Sequence, residues 1–280
     1  MRSRKFRIVT ARAARAALVL MALAMPTAGA GEAPAAPPTP DMTVARAGAR
    51  LLAAYPGQIG AVEGNAIVWR DGSRSPLDDG RGIKPFADWL AQPDIEDMLQ
   101  AEYAAGPLTA PPLSDPGRAR NEKFFTRMYG DCRTGGVASN LVEVEWLPKR
   151  YGKPIRVTRI NGVADRLTAI SRELDLLPRN FDRYLYPPGG TYVCRDVAGT
   201  ALRSAHGYGI AIDIAVAPSD YWRWAAAKGA EPPLWRNRIP DEIVAIFEKH
   251  GFIWGGKWRH FDTMHFEYRP ELLPPQSAQP

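Results

Sequence analysis

The apolar positions of this chain follow two different periods, and the change from one to the other marks its elements. Val142, Val144 and Trp146 alternate with Glu143 and Glu145, and in Ile155-Arg156-Val157-Thr158 the apolar residues again take every second place. Both segments predict half-buried strands. Val163, Leu167, Ile170, Leu174 and Leu177 recur at steps of four and three, the single apolar stripe of an amphipathic helix. A second helix is predicted over Asp241–His250, with Ile243, Ile246 and Phe247 inward and Gly251 at the left-handed cap position. Upstream, 43–54 predicts a short helix, Ala66–Trp69 a strand entering the turn Arg70-Asp71-Gly72, and 93–104 a helix carrying Ile95, Met98, Leu99 and Tyr103. Strands with helices packed on one side predict an α+β domain.

The ends of the chain lack either period. In residues 1–30, Arg2, Arg4, Lys5, Arg7, Arg12 and Arg15 precede an apolar run, Ala16–Met25, that is too short to span a bilayer. Ala28-Gly29-Ala30 then offers the small residues of a cleavage site, so 1–30 predicts an export signal and a mature start at Gly31. No stable membrane insertion is expected after cleavage, and the protein is expected in the periplasm or secreted. Residues 31–42 predict a Pro/Ala-rich linker and 271–280 a flexible tail. Between them, 43–115 is read as an N-terminal accessory region without recognisable chemistry, a buttress or a wall of a groove, and 116–270 as a second domain that carries all four histidines.

Charge narrows the partners once the signal is set aside. The formal net charge is +6, but six of the 36 Lys and Arg lie in residues 1–30 and none of the 30 Asp and Glu does. The remaining chain carries 30 of each and is formally neutral, which gives no support to nucleic-acid binding, and no nucleic-acid partner is expected. Cys132 and Cys194 lie in a protein expected to meet an oxidising compartment, which favours a disulfide over two separate buried thiols; the sequence leaves that choice open. It is equally silent on oligomeric state, and a monomer is assumed.

Three of the four histidines fall in two short stretches. In the first, alternation from Ile210 to Val216 puts Ala211, Asp213 and Ala215 on one strand face and the isoleucines on the other, leaving room in front of the carboxylate. His206 is an odd number of residues from Asp213, so the chain must kink between them, which Gly207 and Gly209 permit. In the second stretch Asp262 precedes His265 by three, which requires a turn or bulge if both face one site, whereas His260 and Asp262 can share a face without distortion. A catalytic zinc takes three ligands from His, Asp and Glu and keeps one position for water. His206, Asp213 and His265 can supply that set, Asp262 a general base, and His260 a donor to an oxyanion.

On these residues the chain resembles the D-alanyl-D-alanine carboxypeptidase family of zinc metallopeptidases, which includes L-alanyl-D-glutamate peptidase relatives. The family pattern of Ser-x-His, Gly-x-Ala-x-Asp and Asp-x-x-His falls on Ser204-Ala205-His206, Gly209-Ile210-Ala211-Ile212-Asp213 and Asp262-Thr263-Met264-His265. The resemblance implies a hedgehog-like fold with one Zn2+ per chain on a small antiparallel sheet, held by His206, Asp213 and His265, and Asp262 as base. It also implies catalytic parts for His260 and for an upstream arginine, for which Arg195 is the candidate. The implied substrates are peptidoglycan stem peptides, cut at the terminal D-alanine or at the L-alanine to D-glutamate bond. Gly251-Phe252-Ile253-Trp254-Gly255-Gly256-Lys257-Trp258 resembles the endopeptidase branch. A rival reading is a non-catalytic, zinc-stapled, hedgehog-like module that binds the cell wall.

Overall fold

The structure is a computed structural model that describes residues 40–198, 200–226 and 234–274. The expected export signal, and the linker up to residue 39, lie outside the described residues; positions 40–42 of the linker already belong to the first helix. Described elements run in the order α1 (Pro40–Ala54), β1 (Ile59–Glu63), β2 (Ala66–Trp69), β3 (Arg74–Pro76), α2 (Phe86–Ala91), α3 (Glu122–Tyr129), β4 (Leu141–Trp146) and β5 (Lys153–Thr158). They continue with α4 (Val163–Leu174), α5 (Asp182–Leu185), β6 (Ala211–Asp213), α6 (Trp222–Ala226), α7 (Asp241–Lys249), β7 (Phe252–Trp254) and β8 (His265–Tyr268). Three small antiparallel sheets result, in the orders β1-β2-β3, β4-β5 and β6-β8-β7, and with the helices they make an α+β fold. No helix among the described residues is long and apolar enough to cross a membrane.

The third sheet matters most, because alternation sorts its residues cleanly. Ile212 of β6 and Phe266 of β8 face back and are fully buried, with Phe266 stacked on Phe247 of α7 at 3.9 Å between ring centroids. Ala211 and Asp213, and opposite them Glu267 and His265, face the other way. The stripe predicted for α4 is buried at Val163, Leu167, Ile170 and Leu174. Ser171 fixes that helix to the end of β4, accepting from Leu147 N at 2.8 Å and donating to Glu145 O at 3.0 Å. After α7, Gly251 turns the chain into β7 at φ +88°, where a Cβ would also meet Tyr268 Cε2 at 2.9 Å.

Two expectations change. Residues 93–104 form no helix, only a single 3-10 turn at Asp97–Leu99. Asp94 and Asp97 each accept the other's backbone N–H at 2.9 Å, a reciprocal pair of the kind that opens a helix, but the turn it opens does not extend past Leu99. Ile95, Met98, Leu99 and Tyr103 are buried nonetheless, so the apolar spacing reported burial and not conformation. The start of the expected flexible tail is also ordered: Glu271, Leu272 and Leu273 are buried, and Glu271 accepts from Arg269 Nε at 2.5 Å.

The 43–115 region shares the core instead of standing beside it. Tyr55 donates to Glu271 Oε2 at 2.6 Å, and Tyr103 donates to Glu248 Oε1 at 2.6 Å while accepting from Trp254 N at 3.0 Å. Cys132 and Cys194 are bonded, with Cα atoms 5.6 Å apart, and join the turn after α3 to the segment that leads to His206.

A candidate metal centre on the third sheet

Asp213 and His265 meet because β6 and β8 pair them directly across the ladder. His206 arrives from a 3-10 turn, Ala205–Tyr208, opened by the Ser204 side chain, which accepts from His206 N. The turn closes at Gly209, whose φ of +70° is left-handed and whose missing Cβ would lie 3.0 Å from Thr158 N. This is the kink that the odd separation of His206 and Asp213 demanded.

The three side chains converge on one point. His206 Nε2 lies 3.2 Å from Asp213 Oδ1 and 3.2 Å from His265 Nδ1, which is 3.0 Å from Asp213 Oδ1. Ligand atoms at the usual 2.0–2.1 Å from a tetrahedral zinc sit roughly 3.3 Å apart, so this triangle fits such an ion. Tautomers agree with the geometry. His206 Nδ1 faces Thr191 O at 2.5 Å, and a carbonyl only accepts, so this nitrogen carries the proton and Nε2 keeps its lone pair. His265 Nε2 donates to Glu267 Oε2 at 3.0 Å, which likewise turns Nδ1 toward the centre. Carboxylate or carbonyl partners on the outer nitrogen are the usual support of a metal-binding histidine.

Electrostatics follow from burial and from these contacts. Burial would raise Asp213, but the two imidazoles beside it hold its carboxyl well below the ordinary range. His265 would be depressed by burial; Asp213 and Glu267, one on each nitrogen, push it up to about 9 instead, and a cation in the site competes with that proton. Asp262 is pushed up to about 6, first by burial and then by the neighbouring Asp213. Its Oδ1 is buried with no hydrogen-bond partner among the described residues, and the side chain lines the same pocket as the three converging groups. Gly255 sets its position: Asp262 N donates to Gly255 O at 2.9 Å, and a Cβ on Gly255 would sit 2.6 Å from Asp262 O.

This pocket, of about 320 Å³, is also lined by Arg118, Arg195, Tyr221, Trp224 and Trp258. Arg195 is exposed, and among the described residues its Nη1 donates to Asp196 O at 3.5 Å. His260 does not line the pocket. Asp115 holds its backbone N at 2.9 Å and its Nδ1 at 2.8 Å, and the ring lies in a neighbouring cleft. The parity argument failed there because 258–261 forms no strand, so two residues apart does not mean the same face. Sequence reasoning missed Glu267 and Arg118. Glu267 was readable, two residues past His265 on the same strand, whereas Arg118 sits in a loop with no periodic signal. Arg118 donates to His260 O at 3.0 Å and packs over the Trp258 ring, with its guanidinium beside the pocket.

Two acidic groups elsewhere also bring carboxylates together: Asp78 with Asp79 and Asp94, and Asp94 with Glu96 and Asp97. Lys84 already stands among them, 3.0 Å from both Asp79 and Asp94 and paired with Asp97.

No curated protein and no solved structure gives a match to this chain. Residues 198–268, which carry His206, Asp213, Asp262 and His265, match the D-alanyl-D-alanine carboxypeptidase family model, which supports the resemblance read from the sequence.

Proposed function

We propose that the protein is an exported, zinc-dependent peptidase of peptidoglycan stem peptides, a D-alanyl-D-alanine carboxypeptidase or an L-alanyl-D-glutamate endopeptidase. The observation that carries this reading is the triangle of His206 Nε2, Asp213 Oδ1 and His265 Nδ1, 3.0–3.2 Å on each side, with Asp262 in the same pocket. His206, Asp213 and His265 would hold the metal; when bound it supplies Lewis acidity, which acidifies water and polarises a carbonyl.

The chain's own groups do the rest. Asp262, raised to about 6, is poised to take a proton from the attacking water near neutral pH and return it to the leaving amine. Arg118, positively charged and beside the pocket, is better placed than exposed Arg195 to stabilise negative charge on the substrate, while Arg195 meets the substrate at the rim. The predicted signal and the Cys132–Cys194 bond support a periplasmic or secreted location.

Asp262→Asn tests the division of roles. Metal content should persist while hydrolysis falls roughly a hundredfold or more. Mass spectrometry of muropeptides incubated with and without a chelator reads both quantities against bond choice: loss of one terminal alanine marks a carboxypeptidase, and release of the peptide beyond L-alanine marks an endopeptidase. A fully active Asp262→Asn variant would overturn the assignment of the base, and parent protein that leaves every muropeptide intact would overturn the activity.

A further inference from the structure

A second cleft, of about 620 Å³, lies beside the metal pocket, and the reaction proposed above makes no use of it. Two segments divide their side chains between the cavities. α2 gives Leu90 to the metal pocket and Phe86 and Trp89 to the cleft; the loop before β8 gives Trp258 and Asp262 to the pocket and Arg259 and His260 to the cleft. The cavities are therefore neighbours across one wall, and a ligand reaching over it touches both.

The chemistry of the cleft is that of an uncharged ligand with one apolar face. Its buried charges are already matched internally, Lys84 by Asp79, Asp94 and Asp97, and Asp115 by both the backbone N and Nδ1 of His260. The outward face combines apolar surface, with Phe86 49% exposed and Leu113 89%, and the exposed polar residues Gln100, Ser114 and Arg259. The Phe86 ring stacks on the half-buried His260 at 5.4 Å and 18° and on the buried Trp89 at 5.8 Å and 26°, so it is the exposed part of an aromatic ledge that those two rings support. Gln100, Ser114 and Arg259 bring hydrogen-bonding groups to the edge of that ledge. An aromatic face with polar groups around it suits a sugar ring, whose C–H face stacks while its hydroxyl and acetamido groups find partners at the edge. An acidic peptide would find Arg259 alone.

We infer that this cleft binds the N-acetylated amino-sugar part of the substrate while the metal pocket holds its peptide, an inference that rests on the peptidoglycan reading. The 43–115 region then has a task, since it supplies Phe86, Trp89, Leu113 and Asp115.

The test uses the full chain and a peptide-free probe, the β-linked tetrasaccharide of N-acetylglucosamine, titrated by calorimetry with and without chelator. Parent protein should bind it equally in both conditions. Phe86→Ala should weaken binding about tenfold or more, the scale of losing an aromatic anchor. Leu113→Ser, at a site too exposed to disturb folding, should weaken it as well. On a stem peptide still attached to its disaccharide, Phe86→Ala should raise KM about tenfold with kcat unchanged. On the sugar-free peptide its kinetics should match the parent's. No binding by the parent, or parent-like binding by both variants, overturns the inference. Phe86-dependent binding by a parent that hydrolyses neither peptide supports the saccharide cleft and removes the peptidase reading, so the two fail separately.

Discussion

His265 carries a carboxylate on each nitrogen, Asp213 on Nδ1 and Glu267 on Nε2, and that pairing decides which nitrogen would face the proposed metal. Replacing Glu267 with Gln keeps the shape but removes the charge that fixes the tautomer. Zinc affinity, measured by competition with a chelator, should drop about 10–100-fold. Asp262 makes a separate claim about pH. A general base works deprotonated, and its carboxyl is raised to about 6 when no cation is bound, so kcat/KM should hold at neutral pH and fall along an acid limb below about 6. A bound cation shifts this limb to lower pH, and in Asp262→Asn the limb should disappear from the pH–rate profile. At this scale the sequence was most informative where a rule of parity held. Asp213 on the open face of β6 and the kink before it were readable, and so was Glu267, had the alternation been carried two residues past His265. His260 was misplaced because its loop has no strand period, and Arg118 left no pattern at all.

Among the elements, those with long regular patterns were the legible ones. β4, β5, α4 and α7 appear where the spacing of Val144, Val157, Leu167 and Phe247 puts them. The stretch 93–104 shows the limit: its apolar positions are helical in spacing and the paired aspartates at 94 and 97 open a turn, yet only Asp97–Leu99 is helical, so the spacing recorded burial alone. A glycine with a defined task tests the elements most sharply. Gly251→Ala must take a positive φ and force its Cβ to 2.9 Å from Tyr268 Cε2. Unfolding in urea should show a loss of about 1–3 kcal/mol, the usual cost of a residue held in a disfavoured backbone region. Since Gly251 precedes β7 at the Tyr268 end of β8, whereas Asp213 pairs with His265 at the other end, activity per folded molecule should change little.

For the whole molecule, the boundary drawn at residue 115 does not divide the core. A chain of buried charges crosses it: Glu267 pairs with Arg269 at 3.2 Å, Arg269 with Glu271 at 2.5 Å, and Glu271 accepts from Tyr55 of the N-terminal region at 2.6 Å. Composition had assigned Glu271 to a loose tail, because its role depends on partners distant in sequence. Arg269→Met removes the central cation and leaves two carboxylates facing each other without it. Denaturant midpoints should report a loss of about 3–5 kcal/mol, the range for breaking one member of a buried ionic set.

The direct pairing of Asp213 with His265 has one more effect. Because neighbouring residues on β8 point to opposite faces, sliding that strand by a single position would bring Phe266 or Met264 opposite Asp213 and turn the imidazole inward. An ion held as proposed would act as a gauge of alignment: only one of the ways these two ribbons can lie together offers all three donors, so binding would select the properly threaded chain over its near misses.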